Sequence, residues 1–159
     1  MAIQTADLCD EHSDVIKVAD PLFKMYGAKQ AFGGQIETVK VHEDNVLVKD
    51  KLAQPGKGKV LIIDGGGSLR CALVGDIIAQ MAADNGWEGI IVYGCIRDSG
   101  VIADISIGIK ALNTHPLKSI KHGRGDVSIP VNFAGVTFYP EHYVYSDSDG
   151  IIVAEKALV

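Results

Sequence analysis

Cysteine is scarce in this chain of 159 residues: Cys9, Cys71 and Cys95 are odd in number and show no CxxC spacing. Disulfide frameworks and thiolate zinc sites need paired, closely spaced cysteines, so these three read as reduced core thiols of a cytoplasmic protein. Positive charge is also short. Fifteen Lys and Arg face twenty Asp and Glu, a net charge of -5, whereas a phosphate-binding surface needs a cationic face. That sets direct nucleic-acid binding aside, while an acidic surface still suits a basic protein partner. No apolar run approaches the ~20 residues of a membrane-spanning helix. No N-terminal stretch joins basic residues to a long apolar segment, so a soluble, cytoplasmic protein is expected. Repeats, low-complexity segments and Pro/Ser-rich linkers are missing too. With 47% apolar residues, the length suits one core and one domain over residues 1–159.

Several familiar motifs are only half present. DGGGSLR (residues 64–70) lacks the Gly-Lys-Ser/Thr ending of a P-loop and the spacing of a dinucleotide fingerprint, so it reads as a tight turn. SDSDG (146–150) places its glycine too early for a calcium loop and is expected to be a hairpin turn. The histidines at 12, 42, 115, 122 and 142 include no pair at helical ligand spacing and are taken as surface or turn residues. Lys110, Lys118, Lys121 and Arg124 form a mild basic cluster, read as a solvated face. Trp87, the single tryptophan, is expected to pack on the core.

What is present predicts a mixed α/β chain. Residues 35–41 (QIETVKV) alternate apolar and polar, the pattern of a half-buried strand. Asp44 or Asn45 caps a helix through Leu52, stopped by Pro55-Gly56. Residues 60–63 are a short apolar strand. The spacing of Ile77, Ile78, Met81 and Ala82 predicts a helix over 77–85, ended by Gly86. Residues 90–93 form the next strand, which makes a central βαβ unit with parallel strands. Thr5 is placed to cap a short helix over 6–12. Short strands are expected at 127–131, 136–139, 143–145 and 151–153, with Pro130 at an edge or bulge.

One constellation carries chemistry. In YGCIRDSG (93–100), Arg97 and Asp98 follow a strand side by side. Adjacent strand side chains point to opposite faces, so the two converge only if the chain turns, at Gly94 or at Ser99-Gly100. Gly75-Asp76-Ile77-Ile78 opens the central helix, whose unpaired amides favour an anion, and Asp76 suits the helix dipole. Ligands gather at the carboxyl ends of parallel strands, where helix N-termini also open. Amides, guanidinium and carboxylate thus compose a site for a small anion and a hard cation. Mg²⁺ needs only one or two protein carboxylates beside waters and substrate oxygens. A 2-oxo acid chelates through its carboxylate and keto oxygens, Arg97 holds the same anion, and the metal stabilises an enolate as a carbon–carbon bond breaks.

The blocks FGGQIETVK, VLIIDGGGSLRCALVGD, NGWEGIIVYGCIRD and NFAGVTFYPEHYVYSDSDGIIV span nearly the whole chain. In order and separation they resemble the family called regulator of ribonuclease activity A. That family was once misassigned as a menaquinone methyltransferase. The resemblance implies a swivelling β/β/α domain similar to phosphohistidine domains, usually assembled as a homotrimer. One branch resembles class II 4-hydroxy-4-methyl-2-oxoglutarate aldolases, which split a branched 2-oxo acid into two pyruvates and decarboxylate oxaloacetate through a shared pyruvate enolate. On that resemblance, Gly75, Asp76, Ile77, Ile78 and Arg97 bind substrate, and Asp98 binds Mg²⁺ or Mn²⁺. Arg97 and Asp98 are then the catalytic pair. Those aldolases carry a further acid three residues after the metal aspartate, where this chain has Val101 and the next acid is Asp104. This departure implies that oxaloacetate decarboxylation is the easier activity. Other members inhibit the endoribonuclease of the RNA degradosome by protein contact and can lack the metal aspartate, which is present here as Asp98.

Overall fold

The computed structural model describes residues 3–159. Its first half contains α1 (Thr5–His12), β1 (Ile16–Val18), β2 (Lys24–Met25), β3 (Phe32–Lys40), α2 (Val46–Leu52), β4 (Lys59–Asp64), β5 (Ala72–Val74) and α3 (Asp76–Asp84). The second half adds β6 (Gly89–Ile96), α4 (Ser99–Ile102), β7 (Gly108–Thr114), β8 (Asp126–Val127), β9 (Val131–Phe133), β10 (Val136–Phe138), β11 (Tyr143–Ser146) and β12 (Ile151–Ala154). No described helix is long and apolar enough to cross a membrane.

Ten strands form one mixed sheet in the order β1-β12-β11-β3-β4-β6-β7-β2, with β5 beside β6 and β8 beside β3. The centre, β3-β4-β6-β7, is parallel, and the helices α2, α3 and α4 fall in the connections between its strands. Alternation along β4 sorts its side chains between two cores. Leu61 and Ile63 pack with Val48 and Leu52 of α2 and Ala79 and Ala82 of α3. Val60 and Ile62 pack on the opposite face with Phe133 and Phe138 from the separate β9-β10 pair. The layers are therefore β/β/α, the swivelling arrangement expected. Cover on both faces explains why β4 reads as an unbroken apolar run.

One packing detail fixes the centre of the sheet. Gly89 and Gly108 are cross-strand partners on β6 and β7, and a Cβ at either would collide with the Phe32 ring. The paired glycines make a slot, and Phe32, 1% exposed, fills it. Burial of one such side chain is worth about 1.5–3 kcal/mol.

Several local expectations need correction. Thr5 does not cap α1 but lies within it, and its amide and hydroxyl donate to the Asp147 carboxylate at 2.7 and 2.6 Å. Asp147 therefore caps the helix from the turn between β11 and β12. The strand expected at 127–131 is two pieces in different sheets: β8 pairs with β3 and β9 with β10. The break falls at Ser128, whose φ of 57° ends extended backbone. Of the cysteines, Cys71 and Cys95 are buried free thiols, while Cys9 is half-exposed. Lys110 is not on a solvated face. It is 4% exposed on β7, and its ammonium donates to the carbonyls of Asp147 and Gly150.

Candidate functional site

β6 runs three residues beyond the expected strand, through Gly94, Cys95 and Ile96, with a register shift between Val92 and Cys95. Gly94 is therefore inside the strand and is not the turn. The turn is Asp98 itself, in the left-handed region at φ 58° and ψ 37°, a conformation that aspartate tolerates better than most residues. Its carbonyl accepts from the Val101 and Ile102 amides, which starts α4. This reversal cancels the strand alternation, so Arg97 and Asp98 line one cavity.

β5 brings the helix to them. This three-residue strand pairs with the end of β6, and the Arg97 amide donates to the Val74 carbonyl at 2.9 Å. One residue later, Gly75 opens α3. The Asp76 amide donates to Asp98 Oδ2 at 3.3 Å, and Arg97 Nε lies 3.9 Å from the same oxygen. A Cβ on Gly75 would fall 2.9 Å from Asp98 Oδ2. Its backbone is extended, at φ -118°, so glycine is required here for space and not for conformation. All six site residues expected from sequence (Gly75, Asp76, Ile77, Ile78, Arg97 and Asp98) border this cavity of about 180 Å³. The helix amides, however, are not all free, since one already orients the carboxylate. The first intrahelical bond runs from the Ala79 amide to the Gly75 carbonyl, which leaves the Ile77 and Ile78 amides for a ligand.

Arg97 and Asp98 are each 41% exposed, and an ion pair of that kind contributes under ~1 kcal/mol to stability. Among the described residues, no cluster of three His, Cys, Asp or Glu could cage a metal. The donor set still fits a hard cation that keeps most of its waters. It offers one accessible carboxylate, held by a backbone amide, beside open space at Gly75. Val101 lies in a neighbouring groove with Asp76 and Ile77 and is 54% exposed. Asp104 is exposed and outside the cavity, so no acid on this chain takes the place of the missing one.

The cavity also has cations that the sequence reading passed over. Lys49 of α2, with Lys118 and Lys121 from the segment after β7, lines it together with Arg97. Asp44, 2% exposed, pins that segment by accepting from the amides of His122 and Arg124, both at 3.1 Å, and from Val46 at 3.2 Å. Burial pushes the Asp44 carboxyl up, but the amides of Arg124, Val46, His122 and Gly123 outweigh this and hold it below its ordinary value. Asn45 does not cap α2 with its side chain. Its Nδ2 donates to the Leu73 carbonyl at 3.1 Å, and its Oδ1 accepts from Lys121 Nζ at 2.9 Å. No periodicity marks Lys118 and Lys121 in the sequence. Only the folding of their segment against α2 and β5 brings them to the site.

The sequence matches the family model described as RraA-like: Aldolase/RraA across residues 5–153. A protein of Aromatoleum aromaticum named "Putative 4-hydroxy-4-methyl-2-oxoglutarate aldolase" is 55% identical over 159 residues, covering 100% of both chains. One of the same name from Dechloromonas aromatica is 56% identical over 162 residues, covering 99% of each. A solved structure from Geobacillus kaustophilus, described as an S-adenosylmethionine: 2-dimethylmenaquinone methyltransferase, superposes with a TM-score of 0.96 at 47% identity. It covers 98% of this chain and 97% of its own. The RNA-processing inhibitor RraA from Thermus thermophilis superposes with a TM-score of 0.96 at 37% identity, over 100% of this chain and 96% of its own.

Proposed function

The chain belongs to the RraA-like family, and from that membership we propose that it is a divalent-metal-dependent lyase of 2-oxo acids. Its substrates are 4-hydroxy-4-methyl-2-oxoglutarate, cleaved to two pyruvates, and oxaloacetate, decarboxylated to one. The observation that carries this reading is the 3.3 Å bond from the Asp76 amide to the Asp98 carboxylate. It joins the two segments that supply the acid, the arginine and the free amides.

Arg97 binds the substrate carboxylate with its planar fork. The Ile77 and Ile78 amides, at the positive end of α3, hold the oxygens of the same group. Asp98 holds Mg²⁺ or Mn²⁺, and the Asp76 amide keeps that carboxylate aimed into the cavity. When bound, the metal supplies Lewis-acid stabilisation of the negative charge that builds on the 2-oxo acid as its bond breaks. Arg97 and the helix amides oppose the same charge from fixed positions. We further propose a homotrimer in the cytoplasm as the working form.

The test is pyruvate release from oxaloacetate and from the aldol substrate by purified protein, with Mg²⁺ or Mn²⁺ and again with chelator. Metal-stimulated release that chelation abolishes is expected. Metal-independent or absent release from both substrates overturns the reading.

A second reading, as an inhibitor of an endoribonuclease, is favoured by the likeness to the Thermus RraA and by the net charge of -5, which suits a basic partner. Binding of that kind weakens as salt shortens the Debye length from about 10 Å at 0.1 M to about 3 Å at 1 M, and it survives chelation. Loss of ribonuclease binding on chelation would place both functions in one site.

A further inference from the structure

Resting on the reading of Arg97 and Asp98 as the oxo-acid end of the site, we propose that Lys49, Lys118 and Lys121 form a second carboxylate subsite. That subsite makes the enzyme selective for dicarboxylate 2-oxo acids.

Three observations converge on it. The lysines come from two separate stretches of chain, α2 and the segment after β7, yet line one cavity with Arg97 and Asp98. None has a carboxylate within 4.0 Å, whereas Lys29 and Lys51 pair with Glu88 and Glu37 at 3.0 and 3.3 Å. In a chain with five more acids than bases, unpaired lysines gathered at one cavity call for an anion from outside. The third observation is that their backbone is organised in advance. The buried Asp44 fixes the segment, the Ala72 amide donates to the Leu117 carbonyl at 2.8 Å, and Asn45 holds Lys121. Arg97 and the free amides satisfy one carboxylate, and Asp98 the cation. The lysine charges remain for the far end of the substrate.

The chemistry gives this a consequence. In aldol cleavage of 4-hydroxy-4-methyl-2-oxoglutarate, the C3–C4 bond breaks and its electron pair stays on C3. The C4 hydroxyl gives its proton to solvent and becomes the keto group of the second pyruvate. The distal C5 carboxylate keeps its charge throughout, so lysine contacts persist into the transition state. In oxaloacetate the distal carboxylate itself leaves as CO₂, with the C3–C4 electron pair again retained on C3. Contacts that hold that charge stabilise the ground state more than the transition state and do not help kcat.

The probes are 2-oxoglutarate and 2-oxopentanoate, five-carbon 2-oxo acids with and without a distal carboxylate, titrated by calorimetry with Mg²⁺. Wild type is expected to bind 2-oxoglutarate about tenfold tighter, the scale of one charge-assisted contact. Lys118→Gln/Lys121→Gln should equalise the two by weakening 2-oxoglutarate alone, and Lys49→Gln should move the same way by less. Each lysine is exposed, so the variants fold. In turnover, the double variant loses more kcat on the aldol substrate than on oxaloacetate. Equal affinities in wild type, with both ligands bound, overturn the subsite and leave the oxo-acid site standing. A preference that survives in the double variant, or equal losses of kcat, also overturns it. Failure of both ligands to bind wild type removes the oxo-acid reading and the subsite with it.

Discussion

Asp98 Oδ2 accepts a hydrogen bond from the Asp76 amide at 3.3 Å, tying the first turn of α3 to the residue that ends the central strand region. The bond puts a carboxylate at the positive end of a helix dipole, which favours its charged form and fixes its direction. A metal ligand that is single and half-exposed needs such support, because nothing else on the chain holds it in place.

Asp98→Asn separates charge from geometry. Asparagine tolerates the left-handed backbone at φ 58° and still accepts from the Asp76 amide, but it no longer attracts a cation. Metal-stimulated pyruvate release should fall by about two orders of magnitude, the scale for a lost electrostatic group at a reacting centre. The melting temperature should move by no more than about 2 °C, as for a neutral surface change. Retained metal-stimulated turnover in the folded variant would remove Asp98 as the ligand.

Arg97→Lys keeps the charge and loses the two-pronged fork. Binding of oxalate, a compact mimic of the oxo-acid end, should weaken by about 1–3 kcal/mol, the range for lost charge-assisted hydrogen bonds. Titration calorimetry in the presence of Mg²⁺ reads this directly, and an unchanged affinity would exclude contact between Arg97 and the anion.

The βαβ centre and the six site residues were legible in the sequence because local rules govern them. Ile77, Ile78, Met81 and Ala82 keep helical spacing, and Arg97-Asp98 follows an apolar run. Other parts depend on partners that are distant in the chain. β7 was missed although Ile105, Ile107, Ile109 and Ala111 alternate in the sequence and are buried. β5 is three residues long and exists through its pairing with β6. The turn at Asp98 was assigned to neighbouring glycines, because a left-handed aspartate carries no compositional signal. Lys118 and Lys121 read as solvated because the tie from Asp44 to His122 and Arg124 spans about eighty residues of chain.

The Asp147 carboxyl sets a pH dependence. Burial raises its pKa, but hydrogen bonds from the Thr5 hydroxyl and amide and from the Asp149 and Gly150 amides prevail and hold it below the ordinary 3.8. A depressed carboxylate contributes stability above its unfolded pKa and loses it as pH falls through the folded value. Thermal stability should therefore be level from pH 7 to about 5 and decline below about pH 4. Asp147→Asn should cost about 1 kcal/mol at pH 7, as loss of a helix cap does, and show a shallower decline in acid. Some slope remains, because Glu37 and Asp44 are also depressed. Parallel melting curves for wild type and variant at pH 7 and pH 3 would refute this.

Gly108→Ala tests the slot between β6 and β7. The added methyl meets the Phe32 ring, which is walled in by Gly89 on the other side. Overpacking of this kind costs roughly 1–3 kcal/mol, read from the urea midpoint. Phe32→Ala in the same background removes the clash but leaves a cavity, and the double variant should be no more stable than Gly108→Ala. A Gly108→Ala protein as stable as wild type would show that the ring can move aside.

The turn between β11 and β12, which carries the acidic SDSDG, is held through Lys110, whose ammonium takes the Asp147 and Gly150 carbonyl oxygens. In effect the protein has a covalently tethered counter-ion there. It cannot dissociate, be exchanged for another ion or be extracted by a chelator. Stripping divalent metal from the protein should therefore act at the Asp98 cavity and leave the hairpin, and the α1 cap that Asp147 provides, in place. A chelation assay on this chain reports chemistry and not unfolding.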